Sequence, residues 1–145
     1  MILTEADQGF IEQQRTGHLA TLDHDGNPHV IPICFALRGE HLYFVVDDKP
    51  KRARKGLKRL RNIEGDPRVA VVIDRYDENW SRLAYVQLRG SALIVHDPSE
   101  YSQVLDELKQ RYPQYRAMSF SMTTHPMVRI TPLHVHSWRA TPTRP

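Results

Sequence analysis

Residues Leu42 to Ile73 read LYFVVDDKPKRARKGLKRLRNIEGDPRVAVVI, and this stretch carries the main signals of the fold. Apolar segments of strand character stand at both ends, and a basic segment lies between them. Within the basic segment Ala53, Leu57 and Leu60 stand at i, i+4 and i+7, a spacing that is typical of a helix with one apolar face. The stretch therefore predicts a strand, a basic helix and a second strand, in that order.

The predicted helix concentrates positive charge. Eight of the 20 Lys and Arg residues fall between positions 49 and 61, and no acidic residue interrupts them. Without these eight, 12 basic residues stand against 17 acidic ones, so the rest of the chain is acidic. A charge confined in this way indicates a small anionic partner more than a broad nucleic-acid surface.

The start of the helix is a candidate anion site. Pro50 suits the first helical turn, and Asp47 or Asp48 can cap the helix. The free N–H groups of the first turn would converge with Lys49 and Lys51 just after a strand, and such a corner binds phosphate groups. A solvated basic face is the alternative interpretation.

Length and composition predict one soluble domain. The chain has 145 residues, of which 40% are hydrophobic and 26% charged, and residues 140–145 are expected to form a loose tail. No apolar run reaches the roughly 20 residues that span a bilayer, and the acidic start is unlike a signal sequence, so we expect a cytoplasmic protein without a membrane partner. The single cysteine, Cys34, excludes an internal disulfide and is expected to be a small buried hydrophobic residue.

Patterns along the remaining chain predict a mainly β fold with inserted helices. The sequence Asp25-Gly26-Asn27 marks a hairpin turn, and Gly90 is a candidate bulge in a long strand. Six strands that mostly meander predict a small antiparallel barrel. The predicted elements are a helix that ends near residue 15, strands 18–22, 29–37 and 42–46, the basic helix, strands 68–74 and 83–96, a helix at 98–112 and a last strand at 127–139.

Taken in order, these segments resemble the split β-barrel family that binds flavin mononucleotide (FMN). That family includes proteins similar to pyridoxamine-phosphate oxidase and reductases that use the deazaflavin coenzyme F420. The resemblance covers about Leu3 to Arg139 and rests on the order and spacing of the segments 17–32, 42–46 and 66–70. The segments that resemble the F420-dependent branch in particular are Lys49-Pro50-Lys51, Arg59 to Ile63 and Tyr76 to Leu83.

The resemblance implies a six-stranded split barrel that forms a homodimer with two cofactor sites at the subunit interface. In such proteins the cofactor phosphate lies where the third strand ends and the next helix starts. The basic helix is longer here than in many relatives, which leaves Arg54, Lys55, Lys58 and Arg59 as alternatives for reaching the phosphate. The residues that the resemblance implies for this site are Val46, Asp47, Lys49, Pro50 and Lys51, with Arg59 and Asn62 as further candidates.

The resemblance also implies where the cofactor ring lies. The ring would run along the second and third strands, near Pro32, Ile33 and Cys34. Trp80, Arg82 and Trp138 are candidates to reach the ring from the partner subunit. The pattern Ser137-Trp138-Arg139 matches only part of the substrate-binding pattern of the oxidase, so conversion of pyridoxamine phosphate is not expected.

These observations predict an oxidoreductase that moves a hydride between F420 and a small substrate. Because the cofactor carries the hydride, no catalytic side chain is predicted. The anionic tail of F420 favours it over FMN, since eight cations exceed the need of one phosphate. FMN is the alternative cofactor, and a cofactor-binding module without turnover is the alternative function.

Two further kinds of site are not expected. His134 and His136 alternate on a strand and share one face, but no carboxylate or cysteine stands at ligand spacing, so no metal site is predicted. No aromatic residue stands among the cations of the basic helix, which argues against single-stranded nucleic acid as a partner.

Overall fold

The computed structural model describes residues 2–47 and 55–141, and it describes the side chains of α2 from residue 58 onward. This part of the chain forms one antiparallel sheet of seven strands with three α-helices, so the prediction of a mainly β fold with inserted helices is confirmed. The predicted start of the basic helix lies outside the described residues. In chain order the elements are α1 (Glu5–Gln13), β1 (Gly17–Leu22), β2 (Pro28–Ile33), β3 (Ala36–Arg38), β4 (His41–Val45), α2 (Lys55–Gly65), β5 (Arg68–Arg75), β6 (Ala84–Ile94), α3 (Pro98–Arg111) and β7 (Met127–Arg139), with short 3-10 helices at Trp80–Arg82 and Pro113–Ala117.

The strand order β2-β1-β5-β6-β7-β4-β3 explains why the sheet curls into a barrel. Strands β2 and β3 lie at opposite edges of the sheet, yet only Cys34 and Phe35 separate them in the chain. Three residue steps span about 10 Å at most, so the two edges must approach each other at this point. The sheet is therefore a barrel that is split between β2 and β3.

The predicted strand 29–37 is two strands, which is why the sheet has seven strands instead of six. Its first part, β2, pairs with β1, and its second part, β3, pairs with β4. The chain leaves one edge of the sheet at Cys34 and joins the other edge at Ala36. A run of apolar residues cannot reveal such a change of partner, because both parts have the same strand character.

Tyr112 holds the split in place. Its hydroxyl accepts a hydrogen bond from the backbone N–H of Phe35 at 3.0 Å and lies 2.8 Å from the carbonyl oxygen of Arg15, to which it can donate. The guanidinium of Arg111 stacks over the ring of Phe35 at 4.8 Å. The end of α3 therefore ties the crossing at Phe35 to the segment that follows α1.

Two apolar cores lie on the two sides of the sheet. The inner core fills the barrel and includes Leu19, Phe44 and Val71, with Leu60 and Ile63 of α2. The outer core lies between α3 and the sheet, where Val104 and Leu108 pack with Met127. Cys34 was expected to be buried, but it is only half-buried and packs at the edge of the outer core.

The rest of the outer surface of the sheet is not covered by the described residues. We call this surface the open outer face. It consists of the outward-pointing side chains of β1, β2, β5, β6 and the second half of β7. Cross-strand pairing places His18 beside Pro32 and Tyr85 beside Trp138, and the exposed Val30 lies next to Ala20.

Local contacts of side chains and backbone explain several details of the structure. Thr4 and Asp7 form a capping box at the start of α1, and Gly26 adopts a positive φ of 80° in the hairpin turn. The register of β6 against β7 shifts between Arg89 and Gly90, so the irregularity lies at the predicted position. The unpaired extra residue is Leu133, so the bulged strand is β7 and not the strand of Gly90. None of the helices in residues 2–47 and 55–141 is long and apolar enough to cross a membrane.

Candidate functional site

Both polar and apolar side chains of α2 point into the barrel. Leu60 and Ile63 belong to the inner core, and Arg59 and Asn62 on the same side of the helix are each only 7% exposed. Lys58 is exposed at the neighbouring position. A buried arginine needs partners for its charge, so the surroundings of Arg59 define the candidate site.

Arg59 lies in the barrel with incomplete hydrogen bonding. Its guanidinium carbon stands 5.9 Å from the centre of the Phe44 ring, a cation–π contact on the inner wall. Its Nε–H is buried and has no hydrogen-bond acceptor among the described residues. Burial lowers the pKa of Arg59, and the negative charge of Asp47 opposes that shift, so the side chain remains a cation at neutral pH.

Asp47 lies at the end of β4 with its carboxylate in the interior. The hydroxyl of Tyr115, from the second 3-10 helix, donates a hydrogen bond to this carboxylate. Burial, and then the bond to Asp47, raise the pKa of Tyr115 far above its usual range, so the hydroxyl keeps its proton and acts as donor. The pair therefore fixes the end of β4 and places a negative charge near Arg59.

The β1–β2 hairpin forms the opposite wall. Asn62 donates from Nδ2 to the hydroxyl oxygen of the buried Thr21 at 3.0 Å. Thr21 pairs across the hairpin with His29, whose Nδ1 is buried and has no partner among the described residues. Burial lowers the pKa of His29, and the charges of Lys58 and Arg59 lower it further.

We call this constellation the corner site. It lies between the segment that follows β4, the inner side of α2 and the inner side of the hairpin. The hairpin belongs to one edge of the curled sheet and β4 lies near the other edge. Its cations and amide can bind an oxyanion, whereas its one carboxylate is already bonded to Tyr115. The site consists of Thr21, His29, Asp47, Lys58, Arg59 and Asn62.

The structure brings four of the predicted cofactor residues to this corner. Val46 and Asp47 directly follow β4, and Val46 is half-buried against the inner core. Arg59 of α2 lies near the charge of Asp47, and Asn62 of α2 bonds to the hairpin. The predicted contacts of Lys49, Pro50 and Lys51 lie outside the described residues. Thr21, His29 and Tyr115 were not among the predicted site residues. Tyr115 stands 68 positions from its partner Asp47, so no local pattern could have indicated it.

Pro32 and Ile33 point to opposite sides of the sheet. Pro32 is exposed on the open outer face beside His18, and Ile33 is buried in the inner core. Consecutive residues of a strand must diverge in this way. One flat ligand on the outer surface could therefore contact Pro32 but not the side chain of Ile33.

Trp80, Arg82 and Trp138 lie far from the corner site within one chain. Trp80 is 68% exposed, Arg82 forms an ion pair with Asp77 at 3.0 Å, and Trp138 stacks on Tyr85. Strand β5 allows the separation to be estimated. Ala20 of the hairpin pairs with Ala70 of β5, and Tyr85, the partner of Trp138, pairs with Asp74 of β5. Four residues correspond to about 13 Å along the strand, and Trp138 is also three strands away from β1.

The corner site is suited to binding and does not resemble a nucleophilic or metal centre. The described residues include no group of three or more His, Cys, Asp or Glu side chains that could hold a metal ion. The cations Lys58 and Arg59 are suited to attract an anion, and the ring of Phe44 gives the interior an apolar wall. Chemistry at such a site depends on what a bound cofactor brings.

Solved structures share this architecture. The chain aligns over 100% of its length with 92% of a conserved hypothetical protein from Mycobacterium tuberculosis, at 25% identity and a TM-score of 0.77. It aligns over 92% of its length with 98% of an F420 reductase, at 27% identity and a TM-score of 0.65. A heme storage protein from Vibrio cholerae shares 18% identity over 96% of this chain and 95% of its own, with a TM-score of 0.69, which shows the fold alone.

The family assignment agrees with these structures. A search of the curated proteins finds no match to this chain. The family model described as pyridoxamine 5'-phosphate oxidase matches residues 3–141, which is nearly the whole length. The resemblance inferred from the order of the segments is thereby confirmed at the level of the family. The chain belongs to the pyridoxamine 5'-phosphate oxidase family.

Proposed function

We propose that this protein is an F420-dependent oxidoreductase that transfers a hydride between the deazaflavin and a small substrate. The observation that carries the proposal is the buried Arg59, whose Nε–H has no acceptor among the described residues. A family that binds flavins and deazaflavins, together with 27% identity to an F420 reductase, supports this cofactor class.

The donors at the corner site fit the anionic part of such a cofactor. Arg59 and Lys58 supply charge, and Asn62 supplies an amide beside them. The run from Lys49 to Arg61 adds cations in sequence beyond the need of one phosphate, which favours the anionic tail of F420 over FMN. The bound deazaflavin would supply the hydride, while the protein positions it and excludes water.

The proposal includes a homodimer that is joined at the open outer face. Val30 is 61% exposed on this face, and Trp138 is exposed at its far end. A monomer gains little from large apolar side chains held on an uncovered sheet, whereas a second copy would bury them. A partner's Trp80, Arg82 and Trp138 would then complete a site that one chain alone does not assemble.

The proposal is tested by titrating the purified protein with F420 and, separately, with FMN. Cofactor fluorescence gives the dissociation constant, and the rise of the melting temperature with ligand concentration gives an independent value. We expect F420 to bind at micromolar concentration or tighter, and at least tenfold tighter than FMN. The reduced cofactor is then used to screen unsaturated small substrates for turnover.

Two variants separate specific from general charge effects. Lys49→Ala combined with Lys51→Ala should weaken F420 binding by about 1–3 kcal/mol per bond to the charged group. Lys109→Ala, which removes a cation of α3, should leave the affinity unchanged. If only FMN binds, the family assignment stands and FMN replaces F420 as the proposed cofactor. If a cofactor binds but no substrate is turned over, the protein is a cofactor-carrying module. If neither cofactor binds, the proposal is wrong.

A further inference from the structure

We propose that His29, Lys58 and Arg59 form an oxyanion site at the inner corner between the hairpin and α2, and that His29 takes up a proton when the anion binds. The inference deepens the proposed function and rests on it for the natural ligand, which would be the phosphate group of the cofactor. It adds a residue, His29, and a linked proton that the proposed hydride transfer does not require.

The geometry of three elements carries the proposal. His29 faces the inner side of the hairpin, because it pairs with the buried Thr21, and Thr21 is bonded to Asn62 of α2 at 3.0 Å. Arg59, one helical turn before Asn62 and Ile63, is 7% exposed and has a buried Nε–H without an acceptor among the described residues. The Nδ1 of His29 is likewise buried without a described partner. Both polar groups therefore lack a described partner. An anion could accept a hydrogen bond from the Nε–H of Arg59 and, once His29 is protonated, from its Nδ1–H.

The charges around His29 come from both of the elements that flank it. Lys58 and Arg59 of α2 disfavour its protonation, and Asp23 of the hairpin turn favours it. The carboxylate of Asp23 accepts hydrogen bonds from the backbone N–H groups of Asp25 and Asn27, which keep it ionised and directed toward the turn. The net effect of these charges and of burial is a lowered pKa of His29.

An anion at this corner reverses the balance. Its negative charge offsets Lys58 and Arg59, so the main electrostatic obstacle to protonated His29 disappears. Both ring nitrogens of protonated His29 are donors, and Nδ1 gains an acceptor. The pKa of His29 must therefore rise on binding, and by linkage the anion binds more tightly as the pH falls through the bound-state pKa toward the free-state pKa.

The test follows the imidazole signals of His29 by nuclear magnetic resonance from pH 5 to 8.5. Sulfate is the probe, because its charge is constant in this range, and chloride at matched ionic strength is the reference. The His29 signals are assigned from the variant His29→Asn. We expect sulfate to raise the pKa of His29 by half a unit or more, which corresponds to about threefold tighter binding at the acidic end of the transition.

Two variants make the test specific. His24→Gln removes a histidine of the same hairpin whose side chain is 90% exposed, and it should leave the sulfate response of His29 unchanged. Lys58→Ala removes an exposed cation without opening the core, and it should raise the pKa of free His29 and reduce the sulfate-induced shift. Retention of the full shift in Lys58→Ala would overturn the assignment of Lys58.

The outcomes distinguish this inference from the proposed function. If F420 or FMN binds and neither the cofactor nor sulfate moves the titration of His29, the oxyanion site is overturned while the proposed function stands. If sulfate raises the pKa of His29 and neither cofactor binds, the site stands and the proposed function fails. If neither sulfate nor a cofactor has an effect, both are wrong.

Discussion

Asp47 and Tyr115 show how a single pair of side chains positions the corner site. The carboxylate lies at the end of β4 and the hydroxyl comes from the 3-10 helix that follows α3. Because both groups are buried, their hydrogen bond forms in a medium of low polarity, where a bond to a charged group matters more than at the surface.

Replacing Tyr115 with Phe removes this donor and keeps the ring. We expect the free energy of unfolding to fall by about 1–3 kcal/mol, since a buried carboxylate loses a hydrogen bond. Urea unfolding followed by circular dichroism measures the change. Tyr76→Phe is the matched control, because Tyr76 is exposed and its hydroxyl should contribute little. Equal stability of the two variants would mean that the Tyr115–Asp47 bond does not stabilise the fold.

At the residue scale, sequence patterns could indicate only part of the corner site. Arg59 and Asn62 belong to the basic helix, and the concentration of charge in that segment already indicated an anion site. His29 is one of eight histidines in the chain, and nothing in its neighbourhood distinguishes it from the others. Its role depends on which face of the hairpin meets α2, and only the register of β1 with β2 decides that face.

At the scale of secondary-structure elements, the bulge at Leu133 of β7 lies opposite Gly90 of β6, where the two long strands approach closely. A Cβ atom at Gly90 would overlap the backbone carbonyl of Thr131 in β7. The obstacle is backbone, so it cannot rotate away as a side chain could. The sequence predicted an irregularity at this glycine. The structure puts the extra residue in β7 and adds the reason why glycine is required in β6.

Gly90→Ala should therefore be destabilising. We expect a loss of about 3 kcal/mol, because the strands must separate locally to admit the methyl group. Gly9→Ala in α1 is the control, since nothing lies within 4 Å of an added Cβ and alanine favours the helix by about 1 kcal/mol. Thermal unfolding of both variants is the measurement, and an unchanged melting temperature for Gly90→Ala would contradict the close approach of β7.

Helix α3 is fixed to the sheet by a hydrogen-bonded ion pair. Tyr43 of β4 donates to the carboxylate of Glu100 at 2.7 Å, and Arg129 of β7 donates to both of its oxygens at 2.7 and 3.0 Å. The bond from Tyr43 is the main cause of the lowered pKa of Glu100, and Arg129 lowers it further. Burial, and then the bond to Glu100, raise the pKa of Tyr43 to about 12, so its hydroxyl keeps its proton at neutral pH.

This arrangement predicts a dependence of stability on pH. The pKa of Glu100 is lower in the folded state than its ordinary value of 4.5, so its ionised form stabilises the fold above that value. As the pH falls through the folded-state pKa, the contribution is lost. We expect Glu100→Gln to be about 1–3 kcal/mol less stable than wild type at pH 7 and to approach it at pH 3.

Urea unfolding at pH 3, 5 and 7 measures this difference. Glu78→Gln changes an exposed carboxyl outside α3, so the free energy of unfolding of this variant should differ from that of wild type by the same small amount at every pH. A constant gap between wild type and Glu100→Gln over the whole range would show that the effect of the variant does not come from ionisation.

At the scale of the whole molecule, the open outer face is the part of the sheet that no described element of the chain covers. Helix α3 covers the outer surface near β4, and the remaining strands keep Val30 and Trp138 exposed. Val30→Glu should leave the fold intact and convert the proposed dimer into a monomer, because two buried carboxylates would face an apolar surface.

Analytical ultracentrifugation measures this change, and far-ultraviolet circular dichroism checks the fold. Ile2→Glu is the control, since Ile2 is also an exposed apolar residue but lies outside the sheet. A wild-type protein that is monomeric at all concentrations would refute the dimer, and an unaltered dimer in Val30→Glu would place the interface elsewhere.

The sequence by itself determined most of the elements, the family and the basic segment of this protein. Strand alternation and the special positions of Gly26 and Gly90 are local consequences of backbone and side-chain chemistry, so they can be read without a structure. The order and spacing of those elements were enough to identify the family, which the match of the family model to residues 3–141 confirms.

The tertiary structure alone decided how the distant parts meet. The crossing at Cys34 and Phe35 divides one predicted strand into β2 and β3 and curls the sheet until the hairpin and the end of β4 approach α2 from two sides. That closure brings Tyr115 to Asp47, and it brings the hairpin to α2 so that the charges of Lys58 and Arg59 act on His29. Such pairings join residues far apart in the chain, and their physical cause is the packing of the closed barrel, which local sequence does not encode.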